Sequence, residues 1–502
     1  MGIFVSRILT TIVAFICIPI VVGKLGIAGF GTWESIIAVA ALCNIFQATI
    51  SGTVLWLVAN AYGTGDIESI RRHARMAVGA ALILAALLTP LALAGRHFLI
   101  SLFKVPAEFA STAAWVFPFV VGLMLLGTIN EIVISLIGGF QRAGLAVMIQ
   151  AGAVIANSAA VIIGLALGAG FWSLLAGYAT QFLISGIALY LAAVRIVGPI
   201  NLLPLLPSPS ILVRIAPYAG FLLLGTVSIA FRDQADKVIL SSVASPVWTG
   251  YYGIAARLAG LVSIACTFFY VPTIAASGAL FASDDGPGIH RIYNDVIIAS
   301  SFLVGLVVVL VAGLHDRLII LWMGRPIPEV SGILYLLLIG HTAAVILTGT
   351  GSSVCKGMGI IRIETTFIIV GLILNILLKV GFVPLFGAIG TVVSSSVSWA
   401  VSSVVFVIIL HKQTRLPITS TVKAVKTLFN IALCAWVIRA LAAVLPVETN
   451  RLSIAFSTTG LAVISALIFT LMMTVSGVLG REDFRRLGRF AKSRLRGGPA
   501  DA

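Results

Sequence analysis

Runs of about twenty apolar residues recur along the whole chain, and each is long enough to cross the hydrocarbon core of a bilayer as an α-helix. In lipid a backbone must satisfy its own hydrogen bonds, so such a chain folds as a bundle of helices. Composition agrees. Of 502 residues, 60% are hydrophobic and only 10% charged, where a soluble protein carries about 25% charged residues. No stretch between the runs could hold a sizeable soluble domain, which excludes most enzyme classes.

The runs predict fourteen spans, at 3–22, 34–59, 77–94, 113–136, 145–167, 173–194, 218–243, 251–274, 297–314, 330–349, 366–384, 388–410, 427–445 and 454–476. The first, Ile3–Val22, has no basic stretch before its core and ends in Gly23-Lys24-Leu25-Gly26 without a small-x-small cleavage pattern, so it reads as a span and not as a signal peptide. The five cysteines, Cys17, Cys43, Cys266, Cys355 and Cys434, lie in or beside apolar runs and show no metal-ligand or disulfide spacing. Neither a metal nor a cofactor is expected.

The net charge of +15 would suggest nucleic acid in a soluble protein. Here the basic residues sit mainly in one set of loops. With the N-terminus inside, 21 of the 32 lysines and arginines fall on the inner side and six on the outer: Lys24, Arg96, Lys104, Arg317, Arg325 and Arg451. That bias sets both termini in the cytoplasm, and an even number of spans satisfies it. No nucleic-acid partner is expected. Trp33, Trp115, Trp172, Trp248 and Trp322 fall at predicted outer span ends, where indoles settle.

Spans 1–12 carry an internal echo. Gly29-Phe30-Gly31 is matched by Gly250-Tyr251-Tyr252, 221 residues later. Leu102–Glu108 is matched by Leu321–Glu329 at 219 to 221, and Leu167-Gly168-Ala169-Gly170 by Leu385-Phe386-Gly387-Ala388 at 218. A six-span unit keeps its membrane orientation on repetition. The two bundles, 1–194 and 218–410, are then expected to be related by an axis along the membrane normal, with a substrate site between them. The proline-rich segment 195–217 is the stiff cytoplasmic linker. Two further spans, 427–476, and a basic tail, 477–502, lie outside the repeat. In the tail Phe484, Leu487, Phe490 and Leu495 form an apolar stripe among seven basic residues, which fits an interfacial helix or a disordered basic tail.

Several short motifs stand in order along 1–410: Leu25-Gly26 with Phe30-Gly31-Thr32-Trp33; Asp236-Lys237; Gly250-Tyr251-Tyr252 with Ala255-Ala256-Arg257-Leu258; Leu321-Trp322-Met323-Gly324; and Lys356-Gly357-Met358-Gly359. Together they resemble the polysaccharide-transporter family, the O-antigen and exopolysaccharide flippases, within the multidrug/oligosaccharidyl-lipid/polysaccharide exporter superfamily. The resemblance implies a bacterial inner-membrane protein that is not an enzyme. It would move polyprenyl-pyrophosphate-linked oligosaccharides across the membrane by alternating access, among membrane lipids and beside a polysaccharide polymerase and chain-length proteins. An ion-coupled multidrug exporter and a lipid II-type flippase share the architecture. An integral-membrane glycosyltransferase or polymerase would need a large loop bearing acidic catalytic groups, and every outer loop is short.

Ionisable groups inside spans are expensive and mark function or internal pairing. Span 7 carries Arg232, Asp233, Asp236 and Lys237; Arg257 lies in span 8 and Lys379 in span 11. At 1.5 Å per residue these fall in the outer half of the membrane. Four cations with two anions suit a hydrated cavity that holds a pyrophosphate or an acidic sugar. Equally, they could form ion pairs that tie span 7 to span 8. Arg7, in span 1, could face the inner entrance or simply anchor the span. Glu34 and Glu131, near span ends, read as solvated rim positions that could also bind a proton or Na⁺. Among the histidines only His341 falls in a span. No Gly-x-x-x-x-Gly-Lys-Ser/Thr loop is present, so the chain has no such loop to hold ATP.

Overall fold

The computed structural model describes residues 2–198, 202–207, 209–360, 362–414, 416–444 and 451–480. The tail from 481 and the side chain of Arg7 lie outside the described residues. Thirteen helices follow one another: α1 Gly2–Cys43, α2 Ile45–Thr64, α3 Ile67–Leu102, α4 Ala107–Gly139, α5 Ala143–Ala166, α6 Phe171–Val197, α7 Pro209–Val243, α8 Pro246–Ala282, α9 Gly286–Met323, α10 Pro328–Gly357, α11 Arg362–Gln413, α12 Ile418–Val444 and α13 Arg451–Val475. No strand occurs among the described residues.

Twelve of these helices are long and apolar enough to cross a membrane, all except α2. Two of the twelve are each a pair of helices merged across a kink: α1 breaks at Gly26, α11 at Gly387. Separating their arms brings the twelve to the fourteen segments expected. The second predicted span, 34–59, runs from the second arm of α1 through a break at Asn44 into α2. The protein is thus an all-α, multi-pass membrane protein.

The chain divides into two compact units, Met1–Gly253 and Ile254–Ala502, with the boundary inside α8. In the first unit α3, α4, α6 and α2 surround a core that includes Val58, Ile70, Ala74, Ile132, Leu136, Ile137 and Leu189. Helix α7 packs on α1 and α2. Of the linker, residues 202–207 are not helical and lie on α3. There the amide of Leu205 donates to the carbonyl of Arg75, and the Arg75 side chain returns a bond to the carbonyl of Leu203. In the second unit α9 packs against α10, α12 and α13, and α10 against α11.

The backbone echoes the sequence repeat. Left-handed corners occur at Gly65 and Asp284, Lys104 and Gly324, Gln141 and Gly359, and Gly170 and Gly387, at separations of 219, 220, 218 and 217 residues. The first pair precedes matched helix caps, in which Asp66 accepts from the Ser69 amide and Asp285 from the Gly288 amide. Such caps satisfy backbone donors left over at a helix start. At the last pair the conformations nearly coincide, with φ/ψ of 53°/−128° and 56°/−132°. By backbone conformation Gly170 thus corresponds to Gly387, one position away from the sequence match with Ala388.

Candidate functional site

The second arm of α1, the C-terminal half of α7 and the first two turns of α8 meet in the first unit. Glycine makes the approach possible. A Cβ on Gly31 would overlap the carbonyl of Pro246, and one on Gly250 would stand 2.6 Å from the carbonyl of Ile27. Three residues on, a Cβ on Gly253 would lie 3.3 Å from the side chain of Glu34. The Leu-Gly-x-x-x-Phe-Gly-x-Trp element thus holds two devices: a left-handed break at Gly26 and a close helix crossing at Gly31.

Ionisable groups fill this junction. The Lys237 ammonium lies 2.7 Å from the Glu34 carboxylate, and both side chains are largely buried. Burial of either charge alone would be strongly disfavoured, so the pair ties α7 to α1. Asp236, one position earlier and 1% exposed, accepts a 3.0 Å hydrogen bond from the Tyr252 hydroxyl on α8. One turn beyond Lys237, Ser241 bonds to Ser35 and receives a bond from Thr249. Lys237, toward α1, and the hydroxyl chain at Ser241 thus follow one another along α7, with a second buried carboxylate, Asp236, turned to α8 at the adjacent position. Upstream, Arg232 and Asp233 form an exposed pair at 2.9 Å.

The sequence-derived set is accordingly divided. Asp236 and Lys237 are drawn into the α1–α7–α8 junction, while Arg232 and Asp233 stay exposed. Arg257 belongs to the second unit and is exposed on α8. Lys379 also belongs to the second unit. It is buried on α11 one turn after Asn375, whose amide donates to Ser395 and Ser398. The side chain of Arg7 lies outside the described residues.

Two readings need correction. Glu34 is not a solvated rim residue; it is 4% exposed and ion-paired. His341 is not alone among the histidines in lying within a long apolar helix: His315, one residue past the predicted span 297–314, lies within α9 and is fully buried, 3.0 Å from Asp316 and 3.1 Å from the Arg439 guanidinium on α12. Sequence reasoning gave Tyr252 no chemical role, although it stands in a named motif. Its spacing from Asp236 becomes meaningful only once α7 and α8 turn back on each other.

No protein-family model matches this sequence, and no curated protein matches it. Solved structures do. A lipid II flippase, MurJ, in an inward closed conformation superposes with a TM-score of 0.70 at 14% identity, covering 95% of this chain and 99% of that one. An inward-facing multidrug-resistance MATE transporter of the MOP superfamily gives 0.62 at 17% identity, over 80% of this chain and 94% of that one. A mutant form of VcmN, a MATE transporter of Vibrio cholerae, gives 0.58 at 14%, over 82% and 95%. This chain has the fold of those membrane transporters. At 95% coverage the match to the flippase must extend into α12 and α13, which together make up about a tenth of the chain.

Proposed function

We propose that this protein is a flippase. In this reading it carries polyprenyl-pyrophosphate-linked oligosaccharide units across the bacterial inner membrane for surface polysaccharide synthesis, by alternating access and with both termini in the cytoplasm. One observation carries the choice within the fold. The likeness to a flippase of a lipid-linked substrate spans nearly the whole chain, α12 and α13 included, whereas the likeness to the multidrug transporters covers about four fifths of it. The ordered family motifs along 1–410 support the same reading.

Cationic side chains at the expected depth suit a pyrophosphate. Arg232 and Arg257 are exposed in their units, and Arg can bind a phosphate in bidentate fashion. Asp233 and Asp236 would keep the grip weak enough for release, with Lys237, Lys379 and Arg7 contributing positive potential along the path. Two six-helix bundles, 1–194 and 218–410, would move about the substrate, and the recurring backbone corners support that division.

The test is accumulation of lipid-linked oligosaccharide on the inner leaflet of a strain that lacks this gene, relieved by the wild-type copy. A strain that instead gains sensitivity to cationic drugs, with normal surface polysaccharide, would favour the multidrug reading. Rescue of a strain depleted of its cell-wall lipid flippase would favour lipid II as substrate.

A further inference from the structure

The basic residues expected on the outer side are the exceptions to the rule that orients this chain, and half of them lie together. Arg317, Arg325 and Arg451, three of the six, gather with the in-span Arg439 at one end of the α9–α10–α12–α13 bundle. Arg317 is buried and donates to Ser457 on α13 and to the carbonyl of Ala442 on α12. Arg451, the first residue of α13, lays its guanidinium against the backbone of Gly324 at the end of α9. Arg325 follows directly and is exposed. Arg439 donates to the Tyr335 hydroxyl at 2.6 Å and keeps 48% of its side chain accessible.

Among the described residues at this corner, only Asp316 and Glu329 oppose them. Among those described residues, four guanidinium groups against two carboxylates leave an excess of two positive charges. Asp316 lies 3.6 Å from the Arg439 guanidinium and is also engaged by His315 and Ser331, so the other edge of Arg439 is the accessible one. Around the corner the bundle surface is apolar. Trp436 lies one turn before Arg439, and Phe429, Leu452 and Phe456 are also exposed on α12 and α13. Guanidinium groups at a helix end, beside an exposed indole and above exposed alkyl and aryl side chains, match the layers of a lipid: phosphate, interface, chains.

We propose that this corner binds the phosphate of an anionic membrane lipid, whose acyl chains lie along the exposed faces of α12 and α13. Arg317 and Arg439 build the corner, since their bonds join α9, α10, α12 and α13. Arg325, Arg451 and the accessible edge of Arg439 meet the phosphate. Charge complementarity commits the site to an anionic headgroup, and the apolar belt commits it to a lipid over a soluble phosphate. The assignment is independent of what the protein transports.

Titration of the purified full-length protein in a neutral detergent tests this, with the melting temperature as readout. Phosphatidylglycerol should raise the melting temperature; phosphatidylcholine of the same chains, inorganic phosphate and pyrophosphate should not. The variant Arg325→Gln/Arg451→Gln should fold and melt normally without lipid, yet need about tenfold or more phosphatidylglycerol for the same shift, as expected for the loss of charged contacts to phosphate. Arg96→Gln/Lys104→Gln, at two outer basic positions of the first unit, should respond as wild type. Equal shifts with phosphatidylcholine, equal shifts with free phosphate, an unaltered response of the Arg325/Arg451 variant, or an equal loss in the Arg96/Lys104 variant would each overturn the proposal. Should the double variant melt low without lipid, Arg325→Gln alone decides by the same comparison.

Discussion

The ammonium of Lys237 sits 2.7 Å from the carboxylate of Glu34, across the contact between α7 and α1, with neither group open to solvent to any large extent. Each charge is tolerable there because of the other. Removing one partner leaves a buried charge uncompensated, which costs about 3–5 kcal/mol, whereas replacing both with apolar groups of similar size is often neutral. Glu34→Gln and Lys237→Gln should each lower the melting temperature and the level of protein in the membrane. The double variant Glu34→Leu/Lys237→Met should recover most of that loss. A double variant as unstable as the sum of the singles would mean the two charges act separately.

The Tyr252 hydroxyl gives buried Asp236 a hydrogen bond from α8. Tyr252→Phe keeps the ring and deletes only the donor, which should destabilise the protein by about 1–3 kcal/mol because a buried carboxylate loses a partner. The combination Tyr252→Phe/Asp236→Leu should be less unstable than Tyr252→Phe with Asp236 intact. Thermal melts of the two variants and wild type check this, and melts that coincide for wild type and Tyr252→Phe would remove the bond from the account.

Glycines that look alike in sequence should behave differently. A methyl group at Gly31 would overlap the Pro246 carbonyl, while nothing lies within 4 Å of a Cβ at Gly23 on the same helix. Gly31→Ala should therefore force α1 and α8 apart and sharply reduce folded protein, and Gly23→Ala should be tolerated. Membrane protein levels by immunoblot and elution as a single species in detergent read this out. Equal levels for the two variants would show that the crossing can relax.

How much was legible follows from which physics is local. The spans stood out because lipid imposes length and apolarity on every crossing segment, and the repeat showed through because corner residues must permit a left-handed backbone. Even so, Gly170 pairs with Gly387 and not with Ala388, since backbone conformation, not the neighbouring letters, decides the match. Glu34 was misplaced because its partner is 203 positions away in the chain, and no periodicity within α1 announces Lys237. His315 fell just past the predicted span 297–314 because charged neighbours, Asp316 and Arg317, lower the local hydropathy. Those same neighbours tether α9 to α12 and α13, Asp316 through Arg439 and Arg317 through Ala442 and Ser457.

The final prediction separates binding from structure within the set of charged residues proposed to meet the substrate. Lys237 is ion-paired and largely buried, so its loss should reduce the protein itself. Arg232 and Arg257 are exposed, so neutralising them should spare folding. A pyrophosphate crossing a low-dielectric barrier needs compensation for its lost hydration, which in the proposed function these cations would supply. A state that holds the headgroup better on one side than on the other then drives release. Arg232→Gln/Arg257→Gln should abolish surface polysaccharide export and leave lipid-linked oligosaccharide on the inner leaflet, while membrane level and melting temperature stay at wild-type values. Charge reversal, Arg257→Glu, should be at least as severe. Lysine at both positions should restore part of the export, because it keeps the charge and loses the bidentate geometry. Export at the wild-type rate in the double glutamine variant would exclude both arginines from substrate handling and direct attention to Lys379, buried on α11 beside the Asn375–Ser395–Ser398 cluster.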